Sequence, residues 1–327
     1  MKTPIFSIIN VVFVIIGTVI GAGFISGREV LSFFNNQSIV FATILIFVLF
    51  SSAFYLLLSI KNLPDRKIIK VFEPLVLFSN LIILSGMISA IDELTFSLFP
   101  ILKKFPFFSI ITLILSNFIV SKGVDGLKRV NMFLVPIIIL FILTALFTKK
   151  TFNIENTIKL NLFSLCCYVG VNTFTSSVVF IDLGKKLSKK ESFFSALLSS
   201  FILSLLILLI YSSLSKSGDK ITNSAIPMLE YLEYNKVLYS VYSIIAYFGI
   251  VTTLISAHYP LFNFAKNFQK QKTAKVLLII IAFAVSRFGF YNIVNYLYPI
   301  TGVIGIIYLI VISILSRFSQ LSKRQGT

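Results

Sequence analysis

The sequence predicts an all-α polytopic membrane protein with ten transmembrane helices, and three observations support this class. Hydrophobic residues make up 57% of the 327 residues and charged residues only 13%, whereas soluble domains are about half apolar and about a quarter charged. Mean hydropathy is +0.96. Apolar segments of about 20 residues, the length that crosses the hydrocarbon core as a helix, recur along the whole chain. A soluble fold and a disordered chain are therefore both excluded.

These segments form a single transmembrane domain over residues 1–327. The second, seventh and tenth are the clearest, and the ninth is the weakest because Arg287 follows a short apolar stretch. We place the spans near 5–34, 38–60, 72–99, 105–121, 124–148, 160–182, 192–215, 236–262, 275–290 and 291–315. They divide into two five-span halves, about 5–148 and about 160–315.

The net charge of +17 follows the predicted topology. Of the 29 Lys and Arg residues, 19 lie on the side of the two termini and nine lie in the opposite loops. Because positive residues favour the cytoplasmic side, both termini are predicted to be cytoplasmic. No basic cluster alternates with aromatic residues, so the expected partners are a small-molecule solute and the lipid bilayer, and not nucleic acid. Nothing in the sequence predicts an oligomeric state.

The first span carries a glycine-rich interruption. Residues 5–34 would be about 45 Å long as one helix, which exceeds a hydrocarbon core of about 30 Å. Gly17, Gly21, Gly23 and Gly27 fall in its middle, and each weakens a helix by about 1 kcal/mol relative to Ala. One interpretation is a helix broken at mid-depth, where N–H groups after the break bind a carboxylate and carbonyl groups before it favour a cation. The alternative is a close-packed face, because both glycine pairs have small-xxx-small spacing.

The sixth span has a matching interruption. Its centre, Cys167 to Ser177, contains Gly170 among clustered polar side chains. Spans one and six occupy corresponding positions in the two halves, and matching interruptions indicate a transporter binding site between inverted repeats. Alternatively, the Ser and Thr side chains bond to their own helix and the stretch is structural.

The run Gly17-Thr18-Val19-Ile20-Gly21-Ala22-Gly23-Phe24-Ile25-Ser26-Gly27-Arg28-Glu29 resembles the first-span signature of the YkvI-like bacterial membrane proteins, which belong with the amino acid–polyamine–organocation superfamily. Residues 126–131, 135–136 and 298–302 resemble that family too. The resemblance implies the leucine-transporter-type fold, a 5+5 inverted repeat with broken helices 1 and 6, in the bacterial cytoplasmic membrane. Members of the family often have Gln where this chain has Arg28, so a role for Arg28 would be specific to this sequence.

These features predict a secondary active transporter of an amino acid or similar small carboxylate-bearing solute, coupled to sodium or protons and working by alternating access. The alternative is a non-transporting membrane sensor, similar to germinant receptors, that uses the same pocket. An enzyme is not expected, because one histidine, two adjacent cysteines and scattered acids form no catalytic or metal-binding constellation. A sodium coupling ion is the one cofactor considered.

Three groups of residues make up the predicted site. The solute-binding group is Gly21, Ala22, Gly23, Phe24, Ser26, Gly27, Gly170, Asn172 and Thr173. The ion-coupling group is Ile20, Thr252, Thr253, Ser256 and Glu29. The gating group is Arg28, Asp92 and Glu93.

The ion-coupling group offers two chemistries. Thr252, Thr253 and Ser256 share one face of span eight, and the resemblance implies that hydroxyls at this depth hold sodium together with carbonyls of the first span. Such hydroxyls are also common inside helices without any ion. Glu29 is the candidate for proton coupling, because burial favours the neutral form of a carboxyl group.

The gating group rests on charges at membrane depth, which are costly and usually functional. Arg28 could pair with Asp92 or Glu93 and close an outer gate; alternatively, these charges only neutralise partners or reach headgroups. Residues 222–234, which contain a proline start, predict a short amphipathic helix over the outer face, suited to a lid.

Overall fold

The computed structural model describes residues 4–35, 37–61, 66–99, 101, 105–148, 159–215 and 218–325, and all of the regular structure in these ranges is helical. The helices are α1 (Pro4–Val19), α2 (Ala22–Ile25), α3 (Arg28–Phe34), α4 (Ile39–Ser59), α5 (Arg66–Leu98), α6 (Phe107–Ser121), α7 (Val124–Thr148), α8 (Leu162–Thr175), α9 (Ser177–Gly184), α10 (Lys189–Leu214), α11 (Asp219–Thr222), α12 (Pro227–Tyr231), α13 (Lys236–Ala265), α14 (Gln271–Ser286), α15 (Phe290–Asn292) and α16 (Tyr298–Gln325). A π-helical turn at Ile293–Leu297 joins α15 to α16.

The chain is a multi-pass membrane protein. Within the described ranges, six helices are long and apolar enough to cross a membrane, and the bent pair of α8 and α9 raises the number to seven. Every one of the ten predicted segments contains a helix, but α1 and α6 count only as shorter apolar helices. The helix of the predicted ninth span, α14, is in neither group. The ten-span arrangement therefore stays a prediction. The predicted side of the termini concerns residues 1–3 and 326–327, which lie outside the described residues.

Large apolar side chains cover the outer surface of the bundle. On α4, Phe41, Ile44 and Val48 are each more than half exposed, as are Phe133 and Leu140 on α7. Contiguous surface of this kind is unfavourable in water and is matched by lipid chains. The outside of the helices thus agrees with the membrane class inferred from composition.

Polar side chains cap the N-termini of α8 and α10. The Asn161 side chain accepts a hydrogen bond from the Ser164 N–H at 3.1 Å at the start of α8. Ser188 and Glu191 form a reciprocal capping box at the start of α10. Because the first N–H groups of a helix lack partners within it, such caps stabilise each start by about 1 kcal/mol.

α1 lies at the centre of the bundle, packed against α7, α10 and α13, while α8 packs against α16 and α4. At one end of α4 the Ser38 N–H donates to the Lys159 carbonyl at 2.8 Å, beside the start of α8. At the other end the Lys61 ammonium donates to the carbonyls of Gly184, the last residue of α9, and of Leu187, just beyond it. Burial at this junction lowers the pKa of Lys61. The α8–α9 pair therefore runs alongside α4 in the same direction.

The first predicted span is broken twice. α1 ends at Val19, Gly21 is extended before the four-residue α2, and Gly27 takes a left-handed φ of 78° before α3. A positive φ strains residues with a side chain, which explains a glycine at position 27. In the sixth predicted span, Ser176 separates α8 from α9, and their axes meet at 62°. This break lies within the predicted interruption but at its end, so Gly170 belongs to an intact helix.

Candidate functional site

A small cavity adjoins the interrupted first span. Its walls come from the α2 region, α5, the residue before α12, α13 and α15: Ala22, Ile25, Ser26, Ala90, Leu94, Ile226, Tyr242, Ala246, Ile250 and Phe290. The walls are almost wholly apolar, and the space open to the centre of a water-sized molecule is about 10 Å³, which holds one water molecule. Ala22 and Ser26 are the predicted solute-binding residues that the structure places on this cavity.

Two other helices contact the main chain at the break. The Ala22 N–H points at the Met87 sulfur of α5 at 3.5 Å, and a thioether is a weak acceptor. The Tyr242 hydroxyl of α13 donates to the Ile25 carbonyl at 2.5 Å. The break therefore leaves one weakly satisfied donor beside the cavity, whereas the Ile25 carbonyl has a strong partner. The sequence pattern missed Met87 and Tyr242, because nothing local ties them to the first span.

Neighbouring side chains occupy the space beside Gly21, Gly23 and Gly27 that a side chain at each position would need. A Cβ atom at Gly21 would lie 2.9 Å from the Thr253 hydroxyl oxygen, and one at Gly23 would collide with the Glu29 carboxyl group. One at Gly27 would collide with a leucine of α10. The break and the close-packed face, set out above as alternatives, thus occur together. Phe24, between these glycines, is fully buried.

The three hydroxyl-bearing residues predicted in span eight do not share one role in the structure. Thr253 on α13 faces α1, and its hydroxyl donates to the carbonyl oxygens of Gly17 at 3.2 Å and Thr18 at 3.5 Å. The hydroxyls of Thr252 and Ser256 instead donate to carbonyls of their own helix. Only Thr253 of the three therefore bridges α13 to the end of α1.

Asn131 of α7 also lies at the contact between Thr253 and the end of α1. A Cβ atom at Gly17 would lie 2.7 Å from the Asn131 side-chain carbon, and the Asn131 amide nitrogen is buried without a hydrogen-bond partner among the described residues. Ile20, the remaining predicted member at the end of α1, is fully buried. Asn131 was missed by the sequence argument, although a lone amide in an apolar span was its available signal.

The structure does not bring the predicted residues of the sixth span to the cavity. The Asn172 amide and the Thr173 hydroxyl donate to carbonyls four residues earlier in α8, at 2.9 and 2.6 Å. A Cβ atom at Gly170 would collide with the Gly302 carbonyl oxygen of α16. In this structure the donors of Asn172 and Thr173 are satisfied within the helix, and Gly170 permits close packing of two helices. The expected solute contacts of these residues stay a prediction.

Arg28 lies at the end of the first span away from α1. Its guanidinium donates to the Thr222 carbonyl at 2.5 Å and the Ser224 carbonyl at 3.4 Å. It also reaches the Asn295 side-chain oxygen in the π-helical turn at 3.3 Å. Arg28 therefore joins α3 to the connection before α12 and to the segment before α16.

The predicted pairing of Arg28 with Asp92 is corrected by the structure. The Asp92 carboxylate instead pairs with Arg287, at the end of α14, at 2.8 Å. Glu93 is exposed on α5. Because residues 92 and 93 are adjacent in a helix, they point in directions about 100° apart, and only Asp92 turns toward the bundle.

The short helix predicted within residues 222–234 is confirmed as α12, which begins at Pro227. The Met228 N–H donates to the Ser26 carbonyl at 2.9 Å, and the preceding Ile226 lines the cavity. α12 therefore covers the cavity on the side of Arg28.

A separate polar contact lies near the end of α9. The Tyr259 hydroxyl of α13 donates to the Asp182 carboxylate at 3.0 Å. Lys185 pairs with the same carboxylate at 2.6 Å. This contact, which the sequence did not suggest, joins α9 to α13 on the side of Lys61.

No family model matches the chain. It is 24% identical to the uncharacterized membrane protein YkvI of Bacillus subtilis (strain 168), over 89% of this chain and 91% of that protein. It is 23% identical to the uncharacterized protein YyaD of the same strain, with the same coverage. The YkvI similarity supports the resemblance drawn from the first-span motif and the assignment to the membrane.

Two crystal structures of an Eremococcus coleocola manganese transporter are also similar. The complex with an aromatic bis-isothiourea substituted compound has 17% sequence identity and a TM-score of 0.49, covering 99% of this chain and 74% of that one. A mutant of that transporter has 16% identity and a TM-score of 0.45, covering 98% and 72%.

Proposed function

We propose that this protein is a secondary transporter of an amino acid or a similar small carboxylate-bearing solute, with ten spans in a 5+5 inverted repeat. The observation that carries the proposal is the small cavity beside a twice-broken membrane segment. A cavity at a break in a spanning helix is the usual place of a transporter binding site. Several different helices wall this one, so movement between them would open it.

The solute contacts in this proposal come from the first break. Ala22 and Ser26 border the cavity, and the Ala22 N–H has only a thioether as its acceptor. A carboxylate oxygen accepts a hydrogen bond far better than a thioether. Binding of a carboxylate would therefore replace a weak contact with a strong one.

Alternating access would use two separate closures. Arg28 joins three segments on the α12 side of the cavity, and the Tyr259–Asp182 contact joins α13 to α9 on the other side. Both contacts are present together, which corresponds to a closed state. In the proposed cycle, each closure opens while the other stays formed.

The coupling ion in this proposal is sodium or a proton. Sodium would use the junction of Thr253 with the Gly17 and Thr18 carbonyls, because hydroxyl and carbonyl oxygens are its usual ligands. A proton would use Glu29, whose carboxyl group is buried. Binding measured with and without sodium separates the two.

The experiment combines binding with flux. The purified protein is tested by thermal shift against amino acids, with and without sodium, and the stabilising compounds are then tested for counterflow in proteoliposomes. The Gly21→Leu variant, which places a side chain against Thr253, should abolish both signals, while Ala284→Leu, at an exposed position of α14, should preserve them. Intact uptake by Gly21→Leu contradicts the proposed site. Binding without counterflow contradicts transport and favours the solute sensor.

A further inference from the structure

A strongly basic turn connects α13 to α14. Residues 234–327 contain nine Lys and Arg residues and no Asp or Glu. Four of the nine lie close together in the chain at this turn: Lys266, Lys270, Lys272 and Lys275. The transport cycle proposed above uses none of them. We call this turn, residues 262–275, the basic corner.

Two ammonium groups meet on one aromatic ring in the basic corner. The ring of Phe262 is buried, and the Lys275 ammonium lies 3.8 Å from its centroid. The Lys266 ammonium lies 4.8 Å from the same centroid and also donates to the Asn263 side-chain oxygen at 3.2 Å. Neither lysine pairs with an acid in the described ranges. Because both distances end at one point, the two ammonium groups are near enough to repel each other, and an anion between them would relieve that repulsion.

A cleft adjoins this pair of lysines. Lys275 and Phe262 both line it, together with His258 and four aliphatic side chains from α5, α13 and α14. His258 is bonded through Nδ1 to the Ser116 hydroxyl of α6 at 2.9 Å, and Lys275 supplies the permanent positive charge. The cleft is too shallow to enclose a water molecule. A ligand would therefore lie along the cleft, with its charge at Lys275 and an apolar part against the aliphatic walls.

α14 presents exposed apolar side chains directly after the basic corner. Val276, Leu277 and Ile280 are each more than half exposed. Only Ala282 and Ser286 of the 16 residues of α14 are buried, so few of its side chains hold it against the bundle. A change from exposed lysines to exposed apolar side chains marks the level at which lipid head groups give way to acyl chains. The basic corner therefore lies at the depth of the lipid phosphate groups.

We infer that the basic corner binds an anionic phospholipid, whose phosphate group lies between Lys266 and Lys275 while an acyl chain runs along the cleft beside α14. The charge of such a head group complements two lysines that have no acidic partner among the described residues. Basic pockets between membrane helices are known to bind anionic head groups. A soluble anion would match the lysines and leave the apolar cleft unused. A bound lipid would hold α14 against α5 and α13, whichever solute the protein transports.

The test measures lipid binding to the purified, delipidated full-length protein in detergent by native mass spectrometry. Dioleoylphosphatidylglycerol and dioleoylphosphatidylcholine have the same acyl chains and differ in the net charge of the head group. The anionic lipid should bind at least about 10-fold more tightly, because each lysine near a membrane surface contributes about 5-fold. Equal affinities would overturn the inference. Glycerol 3-phosphate, which lacks the chains, should not compete; if it binds as tightly as the lipid, the site takes a soluble anion and the inference is wrong.

Variants locate the site within the basic corner. Lys266→Gln and Lys275→Gln should each weaken phosphatidylglycerol binding about 5-fold, and the double variant about 25-fold. Lys272→Gln is the matched control in the same turn, because Lys272 is exposed and does not line the cleft. Lys236→Gln is a second control at the other end of α13, where the side chain is also exposed. Both controls should keep the wild-type affinity. An equal loss in Lys272→Gln and Lys275→Gln would indicate diffuse surface charge and overturn the inference.

Thermal unfolding separates lipid binding from a structural role of the lysines. Without added lipid, Lys266→Gln and Lys275→Gln should melt at the wild-type temperature. Added phosphatidylglycerol should then raise the melting temperature of the wild type more than that of the double variant. Equal stabilisation of the two proteins would contradict the site. A lower melting temperature of the variants without lipid, at unchanged lipid affinity, would assign the lysines to packing against Phe262 and likewise overturn the inference.

Discussion

Replacing Gly170 by Ala tests how α8 meets α16. Three glycines interlock at this crossing, because a Cβ atom at Gly170 would meet the Gly302 carbonyl and one at Gly305 would meet the Gly170 carbonyl. A Cβ atom at Gly302 would lie 2.5 Å from the Cys167 carbonyl oxygen. All of these obstacles are backbone atoms, which cannot rotate away as a flexible side chain would. The two helices must therefore separate to admit a methyl group.

The expected cost follows from two opposing effects. Overpacking of a close contact costs about 1–3 kcal/mol, and the better helix propensity of Ala returns up to about 1 kcal/mol. Because the obstacles are backbone atoms, we take the upper part of the overpacking range, about 2–3 kcal/mol, and the net destabilisation of Gly170→Ala is about 1–2 kcal/mol. For a chain of this size we expect the melting temperature to fall by roughly 2–5 °C.

The assay is thermal unfolding of the purified variant in detergent, compared with Val303→Ile. Val303 is the neighbour of Gly302 on α16 but is 37% exposed, so the extra carbon faces outward and should leave the melting temperature unchanged. The packing argument is refuted if Gly170→Ala melts at the wild-type temperature. Loss of solute binding at unchanged stability would restore the solute-binding role that the sequence predicted for Gly170.

Three further predictions concern the polar contacts. Arg28→Gln should speed amide hydrogen exchange at residues 228–231 of α12 several-fold, because the connection before α12 loses its link to α3; unchanged exchange would exclude Arg28 as a closure. Thr253→Val should abolish the sodium dependence of solute binding, whereas Thr252→Val should preserve it, since its hydroxyl serves only its own helix; equal effects in calorimetry would contradict the sodium junction. Asp92→Asn should lower stability by about 1–3 kcal/mol, because the Asp92 side chain is only 9% exposed and loses its charge-assisted contact with Arg287 at 2.8 Å, and should leave solute binding intact; weaker binding would restore its gating role.

The helices themselves were predictable because apolar runs and their ends are local properties. The proline start of α12 and the interruption at Gly21–Gly27 both follow from residues near each other in the chain. The sequence argument did not distinguish the second break, at Gly27, from the first, at Gly21. A glycine pattern permits a break at several positions, and the neighbours of each glycine determine where the chain turns.

Partners of buried charges were harder to predict. Arg28 and Asp92 lie at similar predicted depths, yet Arg28 reaches backbone carbonyls near α12 and Asp92 reaches Arg287. The position of a residue along a span fixes its depth in the membrane, but it does not fix the direction in which the side chain points. The rotation of each helix about its axis decides the partner, and this depends on how the whole bundle packs.

The sequence by itself determined that this protein is helical, apolar on its outside and interrupted in its first span, because composition and spacing act locally. Only the tertiary structure decided which interruption borders a cavity and which glycine closes a helix crossing. It also placed the ring of Tyr168 in α8 against the rings of Phe33 and Phe34 in α3, which are far from it in the chain. The physical reason is that helix packing brings together residues from distant segments. The contacts and the burial of those residues therefore depend on several segments at once and cannot be read from any one of them.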